Sequence, residues 1–181
     1  MKKTISMIVT FLLMLLTLSS CYIGDGWQDT PEKALKIAAD ATLDDQRRLT
    51  SKNVIDKFNI DDEVYMLFVS EEDTLVQAHF VTNEKGFYHY SGDTEEVSLV
   101  APDTMILNGD SEQFILFNYF SDETYVWGYK YSNVEIVVNG AIPQSKTYTF
   151  ACDGKEWSID RWWIEIADAN TEINIEYPGD N

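Results

Sequence analysis

The apolar residues of this chain occur mainly in short runs separated by polar turn residues. Runs of this kind, alternating or continuously apolar, are typical of β-strands. Strand-like runs are found at 64–69, 75–81, 104–107, 113–120, 124–131, 134–138, 146–152, 157–166 and 172–177. No amphipathic helical pattern connects these runs, so we expect successive strands to pair antiparallel rather than through parallel crossovers.

One helix is predicted before the strands begin. Thr30 can cap this helix, Pro31 suits its first position, and Glu32 favours the positive end of the helix dipole. Apolar residues then recur at helical spacing up to about residue 43, at Ala34, Leu35, Ile37, Ala38 and Ala41. The sequence therefore predicts an α+β fold, mostly antiparallel β with one N-terminal helix.

A turn after the second predicted strand indicates how that strand pairs. Asn83 begins the turn and Gly86 ends it, a pattern typical of a type I turn followed by a left-handed residue. With this geometry Asn83 lies opposite Phe87, and Val81 lies opposite His89.

The dipeptide Asp153-Gly154 predicts a two-residue type I′ hairpin, in which Cys152 pairs with Lys155. Cys152 then shares a strand face with large apolar residues, namely Tyr148, Phe150, Trp157 and Ile159. A reactive thiol needs a neighbouring base and partial exposure. We therefore expect Cys152 to be buried and unreactive.

Residues 1–20 have the composition of a secretory targeting segment. Lys2 and Lys3 precede an apolar stretch at 5–18, which is shorter than the roughly 20 residues that span a bilayer. The stretch ends in small residues, as at a cleavage site. An ordinary secretory peptide and an uncleaved anchor helix are the alternatives at this point.

The residues Leu18, Ser19, Ser20 and Cys21 resemble the lipobox of bacterial lipoproteins. The resemblance implies cleavage between Ser20 and Cys21 and transfer of diacylglycerol to the Cys21 thiol. It places the mature protein on the extracytoplasmic face of the cell membrane, where two acyl chains suffice for stable anchoring. The helix start at 30–35, with β-rich sequence after it, is also similar to small uncharacterised lipoproteins of Gram-positive bacteria, which implies no activity.

These features predict a signal peptide at 1–20, a lipidated tether at 21–29 and one acidic globular domain at 30–181. A division of this domain near 102–109 stays open. Once Cys21 is lipidated, Cys152 has no partner for an intramolecular disulfide. The fold must then be stabilised by its core alone.

The charge of the chain limits its partners. It has 31 Asp and Glu against 13 Lys and Arg, a formal net charge of -18, and removal of Lys2 and Lys3 leaves 11 basic residues and a charge of -20. Such a surface repels nucleic acids and anionic headgroups. We expect the membrane to be a partner only through the N-terminal lipid, and a protein or cell-wall ligand stays open. The sequence leaves the oligomeric state undetermined.

Neither the histidines nor the acidic clusters predict a metal site or a cofactor. In the bulged register His79 and His89 lie on one face, but a zinc site needs three or four ligands. The acidic runs lack the alternating donors and glycine of a calcium loop. They fall between strands, at 61–63, 71–73, 93–96 and 122–123. The sequence singles out no catalytic residue.

The most distinctive pattern is an aromatic stripe on one strand face, formed by Tyr125, Trp127, Tyr129 and Tyr131. If exposed, the stripe would be a binding surface that stacks sugars or grips a peptide. If buried, it is core, and the less apolar opposite face favours burial. Trp162 and Trp163 point to opposite faces, so one of them must meet a second layer or stay exposed.

The sequence therefore predicts a membrane-anchored extracytoplasmic lipoprotein that acts as a binding or interaction module. One alternative is a cell-wall enzyme that uses paired carboxylates, which can be distant in sequence. Another is an accessory subunit or an inhibitor of a basic partner. The absence of catalytic motifs favours a binding module over an enzyme.

Overall fold

A computed structural model of the chain describes residues 26–42, 46–60, 63–101, 104–105, 115–116, 120–121, 125–166 and 172–177. The predicted signal peptide, the cleavage position at Ser20 and the lipidation site at Cys21 lie outside these residues, as do most of the predicted strand at 113–120 and the acidic cluster at 122–123.

Helix α1 spans Pro31–Ala41 and begins as predicted, because the Thr30 side chain accepts a hydrogen bond from the Lys33 N–H. Its buried face differs from the predicted stripe. Ile37 and Ala41 are exposed, while the buried apolar residues are Ala34, Leu35 and Ala39. A short helix α2, Gln46–Leu49, follows and was not predicted.

The first sheet is antiparallel and has the order β1-β2-β3-β4. Its strands are β1 (Ser51–Ile60), β2 (Glu63–Ser70), β3 (Leu75–Thr82) and β4 (Tyr88–Val97). The predictions at 64–69 and 75–81 correspond to β2 and β3. Strand β1 was not predicted, because two register shifts break its alternation of apolar and polar residues.

The second sheet is also antiparallel and has the order β5-β6-β9-β8. Its strands are β5 (Phe120–Ser121), β6 (Tyr125–Tyr131), β8 (Gln144–Cys152) and β9 (Lys155–Glu165). A separate two-stranded ribbon pairs β7 (Val137–Val138) with β10 (Ile175–Glu176). The prediction of a strand at 104–107 is wrong for residues 104–105, which are helical, and residues 106–107 lie outside the described part of the chain.

Both predicted turns have the expected geometry. Asn83 Oδ1 accepts hydrogen bonds from the N–H groups of Lys85 and Phe87, and Val81 pairs with His89. At the second turn, both residues adopt left-handed backbone conformations, with φ of 49° at Asp153 and 68° at Gly154.

The elements form four layers. One face of the first sheet packs on α1, and its other face packs on the second sheet. The far face of the second sheet is covered by the β7–β10 ribbon, where Trp162 is fully buried. Of the two neighbouring tryptophans, Trp162 is therefore the one that packs against a second layer, as the sequence analysis expected of one of them. The predicted α+β fold, mostly antiparallel, is confirmed.

The chain joins the first sheet before the predicted end of the tether. Backbone hydrogen bonds in both directions connect Gln28 with Tyr88, the first residue of β4. Within the described part of the chain, we find no helix with the length and apolar content needed to cross a membrane.

Candidate functional site

The aromatic stripe belongs mainly to the core. Trp127, Tyr129 and Tyr131 are buried between the two sheets, and only Tyr125, at the start of β6, is 39% exposed. The interpretation of the whole stripe as a binding surface is therefore wrong, because Tyr125 is its one exposed residue. Burial follows because the stripe faces the apolar side of the first sheet, which shields it from water.

Tyr125 borders a groove between the edge of the first sheet and the second sheet. The groove has a volume of about 350 Å³, and its lining includes Phe58, Ile60, Tyr125, Trp127, Arg161 and Trp163. Strand β1 contributes one wall, while β6 and β9 contribute the other. Most of the lining side chains are aromatic or apolar, as is usual for small-molecule sites.

Arg161 provides the polar group of this groove. Its guanidinium carbon lies 4.4 Å from the centre of the Phe58 ring and 5.6 Å from that of Trp163. Both distances are suitable for cation–π contact. Its Nη1 lies 2.6 Å from Asp56 Oδ2, so the arginine charge is neutralised inside the protein.

Asp56 is itself buried and has a second partner. The Tyr129 hydroxyl donates a hydrogen bond of 3.3 Å to Asp56 Oδ2. Burial raises the pKa of Tyr129 well above its ordinary value, and the adjacent Asp56 carboxylate raises it further. Tyr129 therefore stays protonated and acts as a hydrogen-bond donor that supports the Asp56–Arg161 pair.

A row of stacked rings leads from the groove across the first sheet. Phe58 stacks on Tyr65 at 5.4 Å, and Tyr65 stacks on His79 at 4.9 Å between ring centres. Trp127 meets Phe58 and Tyr65 edge-on from the second sheet. These offset and edge contacts are the favourable arrangements for aromatic pairs. Phe58 and Trp127, which line the groove, are therefore each in contact with neighbouring rings.

The two histidines have different surroundings. His79 lies between Glu63 and Asp93, with nitrogen–oxygen distances of 3.4 and 3.8 Å. His89 instead packs against Trp27 at 5.4 Å. No group of three or more His, Cys, Asp or Glu side chains suited to a metal ion occurs among the described residues.

Cys152 is buried, as predicted. Its thiol donates a hydrogen bond of 3.1 Å to the backbone oxygen of Asp73. Burial raises the pKa of the Cys152 thiol, and the carboxylates of Asp73 and Asp153 raise it further. A thiol that is buried and that ionises with difficulty is a poor nucleophile.

The structure also contains a buried ion pair that the sequence did not predict. Lys130 Nζ lies 2.8 Å from Asp160 Oδ2 on the ribbon side of the second sheet. The Asp160 carboxylate also accepts hydrogen bonds from Ser132 and Thr147, and Lys130 donates to the Val134 backbone oxygen. Because both charges have several partners, this pair is a structural network rather than a site open to a ligand.

Sequence reasoning missed the groove, although one signal was available. Trp157, Ile159, Arg161 and Trp163 alternate along β9 and share one face. The sequence analysis places only Trp157 and Ile159 of this face in the core. A charged residue continuing an apolar face indicates either a buried ion pair or the rim of a site.

Comparison of the chain with protein-family models, with curated proteins and with solved structures finds no match in any of the three.

Proposed function

We propose that this protein is a lipid-anchored binding protein on the extracytoplasmic face of a bacterial membrane, and that its aromatic groove binds an uncharged saccharide of the cell envelope. The groove of Phe58, Tyr125, Arg161 and Trp163 is the observation that carries the proposal. It combines aromatic side chains with a fixed planar group of hydrogen-bond donors.

A saccharide matches this combination of groups. The apolar face of a sugar ring packs on aromatic rings, while its hydroxyl groups need hydrogen-bond partners. The guanidinium of Arg161 carries five N–H donors, and Asp56 holds it in a fixed orientation. A bound sugar would therefore meet a preformed site.

The ligand is expected to be uncharged. Arg161 is already paired with Asp56, so an anionic ligand gains little attraction from it. The charge of -20 expected for the processed chain, with 11 basic and 31 acidic residues, opposes the approach of polyanions such as anionic wall polymers. A neutral glycan avoids this repulsion.

The lipobox at 18–21 supports the anchored location. Gln28, where the chain joins the first sheet, is seven positions after Cys21, with six residues between them. A fully extended chain of this length reaches at most about 25 Å. Lipidation of Cys21 would therefore hold the groove close to the membrane surface, where it meets membrane-proximal glycans.

The groove supports binding better than catalysis. Hydrolysis of a glycan by paired carboxylates needs two acidic side chains that flank the bond. None of the described residues that line the groove is Asp or Glu, and the adjacent Asp56 is engaged by Arg161.

Titration of the full-length protein with an uncharged chito-oligosaccharide, followed by tryptophan fluorescence, tests the proposal. We expect Tyr125→Ala and Trp163→Ala each to weaken binding about fivefold, because a lost stacking contact costs on the order of 1 kcal/mol. Phe87→Ala is the matched control, because Phe87 is 40% exposed but lies in the β3–β4 turn.

Equal loss of binding in Phe87→Ala would show that the groove is not the site. Failure of the wild-type protein to bind either chito-oligosaccharide or purified wall glycan would overturn the saccharide proposal.

A further inference from the structure

A second cavity, of about 390 Å³, lies on the other side of the Tyr65 ring from the groove. Its lining includes Tyr65, Gln77, His79, Gly92, Asp93 and Glu95.

The cavity is formed by a bulge in β4. Ala78 pairs with Thr94 and Phe80 pairs with Tyr90, so three residues of β4 face the single residue His79. Gly92 permits the bulge through a left-handed φ of 93°.

Gln77 is the unusual residue of this cavity. Only 4% of its surface is exposed, and its Oε1 accepts no hydrogen bond from the protein. A buried acceptor without a partner is costly and therefore rare in folded proteins unless a water molecule or a ligand supplies the missing donor. Rotation about the last side-chain torsion is soft, so the amide can turn Oε1 toward the cavity.

The other polar groups of the cavity favour a cation. Asp93 and Glu95 contribute carboxylates to the lining. A third carboxylate, that of Glu63, lies 3.4 Å from Nε2 of the lining residue His79. None of the described lining residues is Lys or Arg. A ligand that presents N–H donors and a positive charge would satisfy the amide oxygen and be attracted by the carboxylates.

We propose that this cavity binds small molecules through a primary ammonium group, which donates hydrogen bonds to Gln77 and to the Asp93 carboxylate. The stacked rings of Tyr65 and His79 form an adjacent flat surface for the carbon chain of the ligand. A metal ion fits less well, because the described residues contain no group of three or more His, Cys, Asp or Glu side chains arranged to hold one. The proposal is independent of saccharide binding in the groove.

Three probes separate the features of an ammonium ligand. Butylammonium has the charge and the N–H donors, tetramethylammonium has the charge without donors, and 1-butanol has neither the charge nor an ammonium group. Each is added to the full-length protein at one fixed ionic strength, and thermal unfolding is followed by tryptophan fluorescence. A ligand that binds only the folded state raises the unfolding temperature as its concentration rises. We expect a saturable increase with butylammonium alone.

Variants then locate the binding. Gln77→Met keeps the side-chain volume and should raise the apparent Kd for butylammonium about tenfold, because it removes a charge-assisted hydrogen bond. Asp93→Asn should raise it about threefold, because the Asp93 side chain is 83% exposed and its attraction is screened. Glu84→Gln is the matched control, since it makes the same charge change in the exposed β3–β4 turn.

Similar saturation by tetramethylammonium, or by magnesium at matched ionic strength, would show general cation attraction and overturn the proposal. Unchanged affinity in both Gln77→Met and Asp93→Asn would place any ammonium binding elsewhere. Asp93→Asn changes an exposed side chain, so it keeps the test decisive if Gln77→Met fails to fold.

Discussion

Arg161 in the second sheet forms a 2.6 Å ion pair with Asp56 in the first sheet, 105 residues earlier in the chain. The pair joins the two sheets at the base of the aromatic groove. Tyr129 completes the arrangement through its hydrogen bond to the same carboxylate oxygen. One interaction thus both connects the layers and orients the donor group of the candidate site.

Loss of this pair is expected to destabilise the fold. Asp56→Asn removes the carboxylate charge and should lower the free energy of unfolding by about 3 kcal/mol, because Arg161 is left largely buried without its counter-charge. The double variant Asp56→Asn with Arg161→Leu should recover part of this loss. Urea unfolding measures both effects. Lys36→Met, which breaks an exposed pair with Asp40, is the control and should cost less than about 0.5 kcal/mol.

The buried Lys130–Asp160 pair predicts sensitivity to acid. Burial opposes ionisation of Asp160, but hydrogen bonds from Lys130, Thr147 and Ser132 outweigh it and lower the Asp160 pKa below its ordinary value of 3.8. The Asp160 carboxyl therefore binds a proton more readily in the unfolded chain than in the folded protein. The ionised carboxylate stabilises the fold fully above pH 3.8, and this contribution is lost as the pH falls through the lower pKa of the folded state.

Asp160→Asn should make the free energy of unfolding less dependent on pH in this acid range, although it destabilises the protein at neutral pH. Urea unfolding at a series of pH values tests this expectation, with the exposed Asp40→Asn as control. An unchanged acid dependence in Asp160→Asn would contradict it.

Cys152 is expected to react with thiol reagents only after unfolding, because its thiol is buried and its pKa is raised. Mass spectrometry after maleimide treatment in increasing urea should show labelling of Cys152 that follows the unfolding transition. Cys152→Ala should cost on the order of 1 kcal/mol through lost packing. Rapid modification of Cys152 in the folded protein would show that it is accessible.

A side chain at Gly128 is expected to destabilise the fold. A Cβ atom there would lie 3.0 Å from Trp162 Cζ2, and Trp162 is fully buried under the ribbon. Gly128→Ala should therefore lower the free energy of unfolding by about 1–3 kcal/mol through overpacking. In a double-mutant cycle, Trp162→Phe should reduce the cost of Gly128→Ala, since the crowded indole atoms are gone. Additive effects would show that the two sites do not interact.

The anchor can be tested by growth with labelled palmitate. The wild-type chain should incorporate the label and begin at Cys21 after processing, whereas Cys21→Ser should incorporate none. Cys152→Ala removes the other thiol and should leave labelling intact. A wild-type protein that is unacylated, or that still begins at Met1, would exclude the lipoprotein assignment.

The features predicted correctly from the sequence depend on local chemistry. The Thr30 cap, the Asn83 turn and the Asp153-Gly154 hairpin each involve residues only a few positions apart. Strand β1 escaped prediction because its bulges break the two-residue period, and its neighbours in the fold define it instead. The groove escaped prediction because Phe58 and Trp163 come together only when the two sheets pack.

The amino-acid sequence by itself determined the fold class, the positions of two turns and the burial of Cys152, because strand periodicity and turn chemistry act over short distances. Only the tertiary structure decided which faces of the strands are covered. The first sheet buries Trp127, Tyr129 and Tyr131 but leaves Tyr125 at the edge, and no residue of β6 alone encodes that difference. The same packing places Arg161 against Asp56, since the free energy gained by burying apolar surface depends on the layer that lies opposite.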